Sequence, residues 1–86
     1  MAQYEIQFKS SAAKEFRKLS LEIKTRLQKA INALKAEPRP AGMKKLAGED
    51  DLCRIRVGDY RVIYKIDDDI QLIMIMRIRH RREAYQ

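Results

Sequence analysis

The sequence predicts an α+β domain in which two N-terminal helices pack on one face of a four- to five-stranded, mainly antiparallel sheet. The expected order is β-α-α-β-β-β-β. Three observations predict it. Residues 3–9 alternate polar and apolar with a period of two. Residues 10–35 carry two apolar stripes at helical spacing. Three apolar runs near 52–57, 60–66 and 70–78 are joined by short polar turns. Helices first and strands afterwards suit two layers rather than alternating βαβ units.

Each element has its own reason. In the first strand Tyr4, Ile6 and Phe8 share one side, while Gln3, Glu5, Gln7 and Lys9 share the other. Ser10 and Ser11 then offer an N-cap. Ala12, Phe16 and Leu19 stand at i, i+4 and i+7, one face of a short helix. Ser20 can cap a second helix, whose stripe is Ile23, Leu27, Ala30, Ile31 and Leu34. Its opposite face is basic, with Lys24, Arg26, Lys29 and Lys35. Two prolines and a glycine in "EPRPAG" end it. "MKKL" is a candidate short strand and "AGEDD" a polar loop before the three main strands.

The chain of 86 residues suits a single domain spanning 1–86. It has 45% hydrophobic and 36% charged residues, the balance of a folded chain rather than a disordered one. A formal net charge of +7 points to a polyanionic partner. One cysteine, Cys53, excludes an internal disulfide. The N-terminal residues lack the apolar block of a signal peptide, and no apolar run approaches the roughly 20 residues of a membrane span. The expectation is a cytoplasmic protein without a membrane partner.

The segment "CRIRVGDYRVIY" carries a charge problem. Gly58-Asp59 suits a two-residue hairpin turn. That register pairs Val57 with Tyr60, Arg56 with Arg61 and Arg54 with Ile63. Directly paired residues share a face. Cys53, Ile55, Val57, Tyr60, Val62, Tyr64 and Ile66 therefore form the face under the helices. Arg54, Arg56, Arg61 and Ile63 form the open one. Like charges directly opposite are destabilising, by up to ~1 kcal/mol. An open strand face is commonly just solvated, but this repulsion favours a surface built for an anion.

The last strand leaves two registers open. A three-residue "DDD" loop sends Leu72, Met74, Met76 and Ile78 to the core, and Ile73, Ile75, Arg77 and Arg79 to the arginine face. A two-residue loop at Asp68-Asp69 swaps the faces and buries Arg77. Burying an arginine is expensive, which favours the first register. The tail "RHRREAY" adds the only histidine, His80, and Tyr85. A lone histidine is usually structural, and a terminal tyrosine is usually an anchor. With the arginines, however, they form a fuller set. Histidine and tyrosine move protons, and arginines hold a phosphate and its developing charge. The sequence has no metal-ligand cluster, phosphate-cradling glycine loop or Ser/His/Asp order, so no metal or other cofactor is expected. Attack of a ribose 2′-hydroxyl on its own phosphate requires none of these.

"KKLAGEDDLCRIRVGDYRVIYKIDDD" followed by "RIRHRREAY" resembles the RelE/ParE superfamily of bacterial toxin–antitoxin toxins, and within it the RelE branch. The resemblance spans the whole chain and is strongest over residues 44–85. It implies a ribosome-dependent endoribonuclease that cuts mRNA in the A site and is held by a cognate RelB-like antitoxin. Carried over by position, Arg54 and Arg56 are implied to bind phosphate and stabilise the transition state. Arg61 is implied to hold the scissile phosphate. Arg81 and Tyr85 match the tail arginine and the catalytic tyrosine, and His80 falls where some relatives use histidine. Arg77, Arg79, Lys44 and Lys45 complete the expected phosphate-binding set. Some relatives carry lysine where this chain has Arg54 and Arg56. Arginine does not readily release a proton, so acid catalysis does not transfer to these two positions. Many relatives have glycine where this chain has Arg79. Two other functions share the fold: ParE-like inhibition of DNA gyrase, and a basic RNA- or ribosome-binding module without chemistry.

Overall fold

The computed structural model describes residues 3–46 and 52–81. The elements follow the expected order: β1 (Glu5–Phe8), α1 (Ser10–Arg17), α2 (Leu21–Ala33), β2 (Lys44–Lys45), β3 (Leu52–Val57), β4 (Tyr60–Asp67) and β5 (Leu72–His80). They form one five-stranded sheet in the order β1-β5-β4-β3-β2. Every neighbouring pair is antiparallel except β1 with β5. α1 and α2 carry the chain from β1 at one edge of the sheet to β2 at the other, and the antiparallel meander from β2 then brings β5 back beside β1.

The helices bury the expected stripes. Ala12, Leu27 and Ile31 are fully buried, and Leu34 nearly so. They close over Cys53, Ile55, Val62, Tyr64 and Ile66 from the hairpin. Phe8 and Phe16 meet edge to face at 5.7 Å and join β1 to α1. Ser20 caps α2 by accepting from the Ile23 amide at 3.4 Å. The expected cap of α1 by Ser10 or Ser11 does not occur. Lys9 occupies the cap position without a side-chain bond, and both serines lie inside the helix. The Lys9 amide instead donates to the Ile75 carbonyl, so the chain turns directly from strand into helix.

The Gly58-Asp59 turn sets the β3–β4 register as expected: Val57 faces Tyr60, Arg56 faces Arg61 and Arg54 faces Ile63. Gly58 has φ 62, the left-handed value that a turn of type II′ asks of its first central residue.

β5 corrects the expectation for the last strand. Asp67 pairs with Leu72, which leaves a loop of Asp68, Asp69, Ile70 and Gln71. The Asp67 carboxylate accepts from the Asp69 and Ile70 amides and shapes this loop. Gln71 takes φ 53 before the strand starts. Ile73 and Ile75 then face the core and are fully buried. Farther on, Ile78 is buried while Arg77 is exposed. Ile63 pairs with Arg77 but Tyr64 pairs with Ile75, so Met76 has no partner and forms a β-bulge. The reason lies in parity. Ile73, Ile75, Arg77 and Arg79 alternate on one side of an unbroken strand. Either both isoleucines would be exposed or both arginines would be buried. One extra residue switches the phase between them. Each sequence register therefore holds for half of the strand.

At the other end of the sheet an exposed cluster ties three segments. The Tyr4 hydroxyl donates to Asp68 at 2.6 Å, and both Arg39 amino groups donate to the same carboxylate. The Tyr64 hydroxyl donates to the Pro38 carbonyl at 2.8 Å. Burial pushes this hydroxyl up to about 12, so it stays protonated as a donor through the neutral range.

Candidate nucleic-acid interface

The sheet face turned away from the helices carries two rows of cations across the strands. In the first row Arg56 of β3 faces Arg61 of β4, which faces Arg79 of β5. In the second, Lys44 of β2 faces Arg54, Arg54 faces Ile63 and Ile63 faces Arg77. Strands lie about 4.8 Å apart, so the three arginines of the first row span roughly 10 Å. The bulge at Met76 makes this possible, since it returns Arg77 and Arg79 to the open face.

Arg61 is the centre of the row and only 9% exposed. Arg54 and Arg79 are half-buried, whereas Arg56, Arg77 and Lys44 are exposed. A guanidinium withdrawn from solvent between two others raises the local positive potential, because little water remains to screen it. Such a row attracts a compact anion with several oxygens. Each arginine fork can bind two of them.

The other expected site residues fall in different places. Arg81 follows β5 directly, and its amide donates to the Asp59 carbonyl at 2.6 Å. The exposed Arg81 thus sits beside the β3–β4 turn, next to the end of the row. His80 faces Tyr60 in register and meets its ring edge to face at 5.1 Å. Tyr60 shares the helix-side face with Val62, so His80 lies across the sheet from Arg79. Lys45 pairs with Cys53 and also lies on that side, apart from Lys44. Tyr85 lies outside the described residues.

One residue of the site was missed from the sequence. Glu15 of α1 accepts the Ile78 amide at 3.1 Å on one carboxylate oxygen. Its other oxygen lies 3.9 Å from Arg79 Nε. The sequence holds a faint signal for it. Glu15 sits inside the Ala12, Phe16, Leu19 stripe, where an acid is out of place unless it has a partner at the edge of the core.

The family model for the ParE toxin of type II toxin–antitoxin systems matches residues 6–85. The chain is 31% identical over 87 residues to the toxin RelG of Mycobacterium tuberculosis, covering 96% of this chain and 97% of that protein. It is 29% identical over 86 residues to the mRNA interferase toxin RelE of Escherichia coli, covering 95% and 90% of the two chains. Its structure is similar to a chain of the archaeal RelE–RelB complex from Pyrococcus horikoshii. There the TM-score is 0.80 and the identity 30%, with 91% of this chain and 94% of that chain covered. The family match, the sequence similarity and the fold agree: the chain belongs to the RelE/ParE superfamily of type II toxin–antitoxin toxins, on its RelE branch.

Proposed function

We propose that this protein is the toxin of a toxin–antitoxin pair and an endoribonuclease that cuts mRNA in the ribosomal A site. The observation that carries this reading is the Arg56–Arg61–Arg79 row with its buried centre. The relatives that bear the name mRNA interferase supply the reaction class. In that reaction the 2′-hydroxyl loses its proton and attacks the adjacent phosphorus. A bond to the 5′ oxygen breaks, and that oxygen takes up a proton.

The arginines supply the electrostatic part. Arg61 holds the non-bridging oxygens of the scissile phosphate, where negative charge grows in the transition state. Arg56 and Arg79 flank it. Arg54, Arg77 and Lys44 bind the neighbouring phosphates and fix the strand across the sheet. Their guanidinium groups stay charged, so the proton transfers fall to other groups. Arg81, beside the end of the row, takes a charge-stabilising role, and Tyr85 is assigned the proton-handling role by the resemblance to the family. His80 packs against Tyr60 and anchors the start of that tail.

The ribosome supplies the rest of the site, orienting the codon so that the attacking oxygen is in line. The natural inhibitor is a RelB-like antitoxin, by similarity to the RelE–RelB complexes. An acidic amphipathic segment that folds on binding suits a surface of this charge.

The test is induction of the chain in a bacterium with mapping of mRNA 5′ ends. Arg61→Ala and Tyr85→Phe serve as controls. Cuts inside translated codons that vanish in the controls support the reading. Growth arrest with a DNA-damage response and no cuts would instead indicate gyrase inhibition. Ribosome co-sedimentation without cuts would leave a binding module. Cleavage of naked RNA at the same rate would remove the A-site step.

A further inference from the structure

We infer that Glu15 is a positioning residue for the arginine row, acting through Arg79. This rests on the reading that the row binds the scissile phosphate. The inference begins at the sheet edge. β1 pairs with β5 only from Leu72 to Ile75. The Lys9 amide bonds the Ile75 carbonyl, and the chain then leaves for α1. Beyond that point, among the described residues, no strand pairs with the outer side of β5.

The Ile78 amide falls in this uncovered stretch, within the part of β5 that follows the bulge. Ile78 is itself 3% exposed, so its amide needs a partner from the protein. Glu15 provides it at 3.1 Å, in the place a continuing strand would occupy. The second carboxylate oxygen lies 3.9 Å from Arg79 Nε, with both side chains about one third exposed. A single carboxylate thus holds the main chain at residue 78 and the guanidinium at residue 79.

Two consequences follow for the row. Arg79 would otherwise be repelled by Arg61 on the neighbouring strand and would swing toward solvent. An anion at its Nε offsets that repulsion and leaves the two terminal amino groups available to a phosphate. The carboxylate also secures the phase set by the bulge, on which the placement of both Arg77 and Arg79 depends. Glu15 touches neither RNA nor the reacting atoms. It orders the group that does.

Glu15→Gln separates these functions. Its amide oxygen can still accept the Ile78 N–H, but the other atom becomes a donor and cannot hold Arg79. The experiment compares wild type, Glu15→Gln, Arg79→Ala and the double variant on mRNA-programmed ribosomes. It also follows the Arg79 Nε–H resonance of the free protein by NMR. Glu15→Gln is expected to slow cleavage about tenfold, as small misplacements of a positioned group do. The double variant is expected to be no slower than Arg79→Ala alone. The Arg79 resonance should shift while the backbone amide spectrum and melting temperature stay close to wild type.

Full cleavage by Glu15→Gln beside a slow Arg79→Ala overturns the inference and leaves the phosphate reading standing. An undiminished Glu15→Gln effect in the Arg79→Ala background also overturns it, because Glu15 would then act through something else. Wild-type rates in both Arg79→Ala and Arg61→Ala would overturn the phosphate reading, and this inference with it.

Discussion

At the scale of single residues, the row sets stability against function. Arg56 is exposed and lies directly opposite Arg61, so its charge stands against a like charge. Arg56→Ala is expected to stabilise the free protein by a few tenths of a kcal/mol, up to ~1, by relieving cross-strand repulsion. The same change should weaken binding to RNA and reduce the salt slope of binding by about 0.7, the contribution of one phosphate contact on a single strand. Urea denaturation and a salt titration of binding check the two halves. A variant that loses stability would show that Arg56 serves the fold. Arg61 should behave differently. It is buried, so Arg61→Ala removes both a repulsive charge and a side chain packed into the sheet. Arg61→Lys keeps the charge but not the fork. It is expected to lose at least about tenfold in cleavage if bidentate phosphate binding is the role. Single-turnover rates at saturating ribosome concentration decide this. The pairing of Arg56 with Arg61 was legible because the Gly58-Asp59 turn sets a register and period-two alternation does the rest. Its extension to Arg79 was legible only as a choice between two registers. The near-complete burial of Arg61 was not legible, since alternation assigns a face and says nothing about cover.

At the scale of elements, the bulge in β5 is the feature on which the site depends. A strand reading LIMIMRIRH cannot bury Ile73 and Ile75 and still expose Arg77 and Arg79 without one extra residue. Deletion of Met76 is therefore expected to abolish the native fold, by driving Arg77 and Arg79 into the core or Ile73 and Ile75 out of it. Met76→Ala keeps the residue count and removes only a half-buried side chain. It should cost no more than about 2 kcal/mol, the lower end for such truncations. Circular dichroism and urea midpoints of the two variants give the answer. A well-folded deletion would show that the strand tolerates either phase. Alternation in the sequence cannot reveal such a switch, because both phases fit part of the segment. Glu15 was hidden for a related reason. Which helix residue meets the bare edge of β5 depends on where β1 stops and how α1 lies over the sheet. His80 could have been placed earlier, since strand alternation already puts it on the opposite side from Arg79. Tyr85 lies outside the described residues.

At the scale of the whole molecule, the cations gather at one end of the sheet, and the cluster of Tyr4, Arg39 and Asp68 ties the segments at the other. Asp68 belongs to the β4–β5 loop, Tyr4 to the segment before β1 and Arg39 to the connection after α2. The three add side-chain bonds to segments that backbone bonds already join, the Tyr4 amide to the Lys35 carbonyl and the Glu5 amide to the Gln71 carbonyl. Hydrogen bonds from Arg39 and then Tyr4 hold the Asp68 carboxyl below its ordinary 3.8. The bond to Asp68 raises the Tyr4 hydroxyl above its ordinary 10.0. The signs set a pH window. A depressed carboxyl stabilises the fold fully above the unfolded value and stops doing so as pH falls through the folded one. A raised hydroxyl stabilises fully below 10.0 and stops as pH climbs through its folded value. The cluster therefore supports the fold across the neutral range and weakens on both sides. Asp68→Asn removes the titrating carboxyl and the anion that raises Tyr4. The variant is expected to melt lower than wild type by a constant margin between about pH 5 and 9. That margin should shrink in acid below 3.8, where wild type loses the same carboxylate, and again in base above 10.0. Melting temperatures of the two proteins across this range provide the measurement. A margin that stays flat into acid would mean that the Asp68 charge contributes nothing to the tie, and that the loop is held by its other bonds, those of the Asp69 and Ile70 amides to the Asp67 carboxylate and of the Glu5 amide to the Gln71 carbonyl.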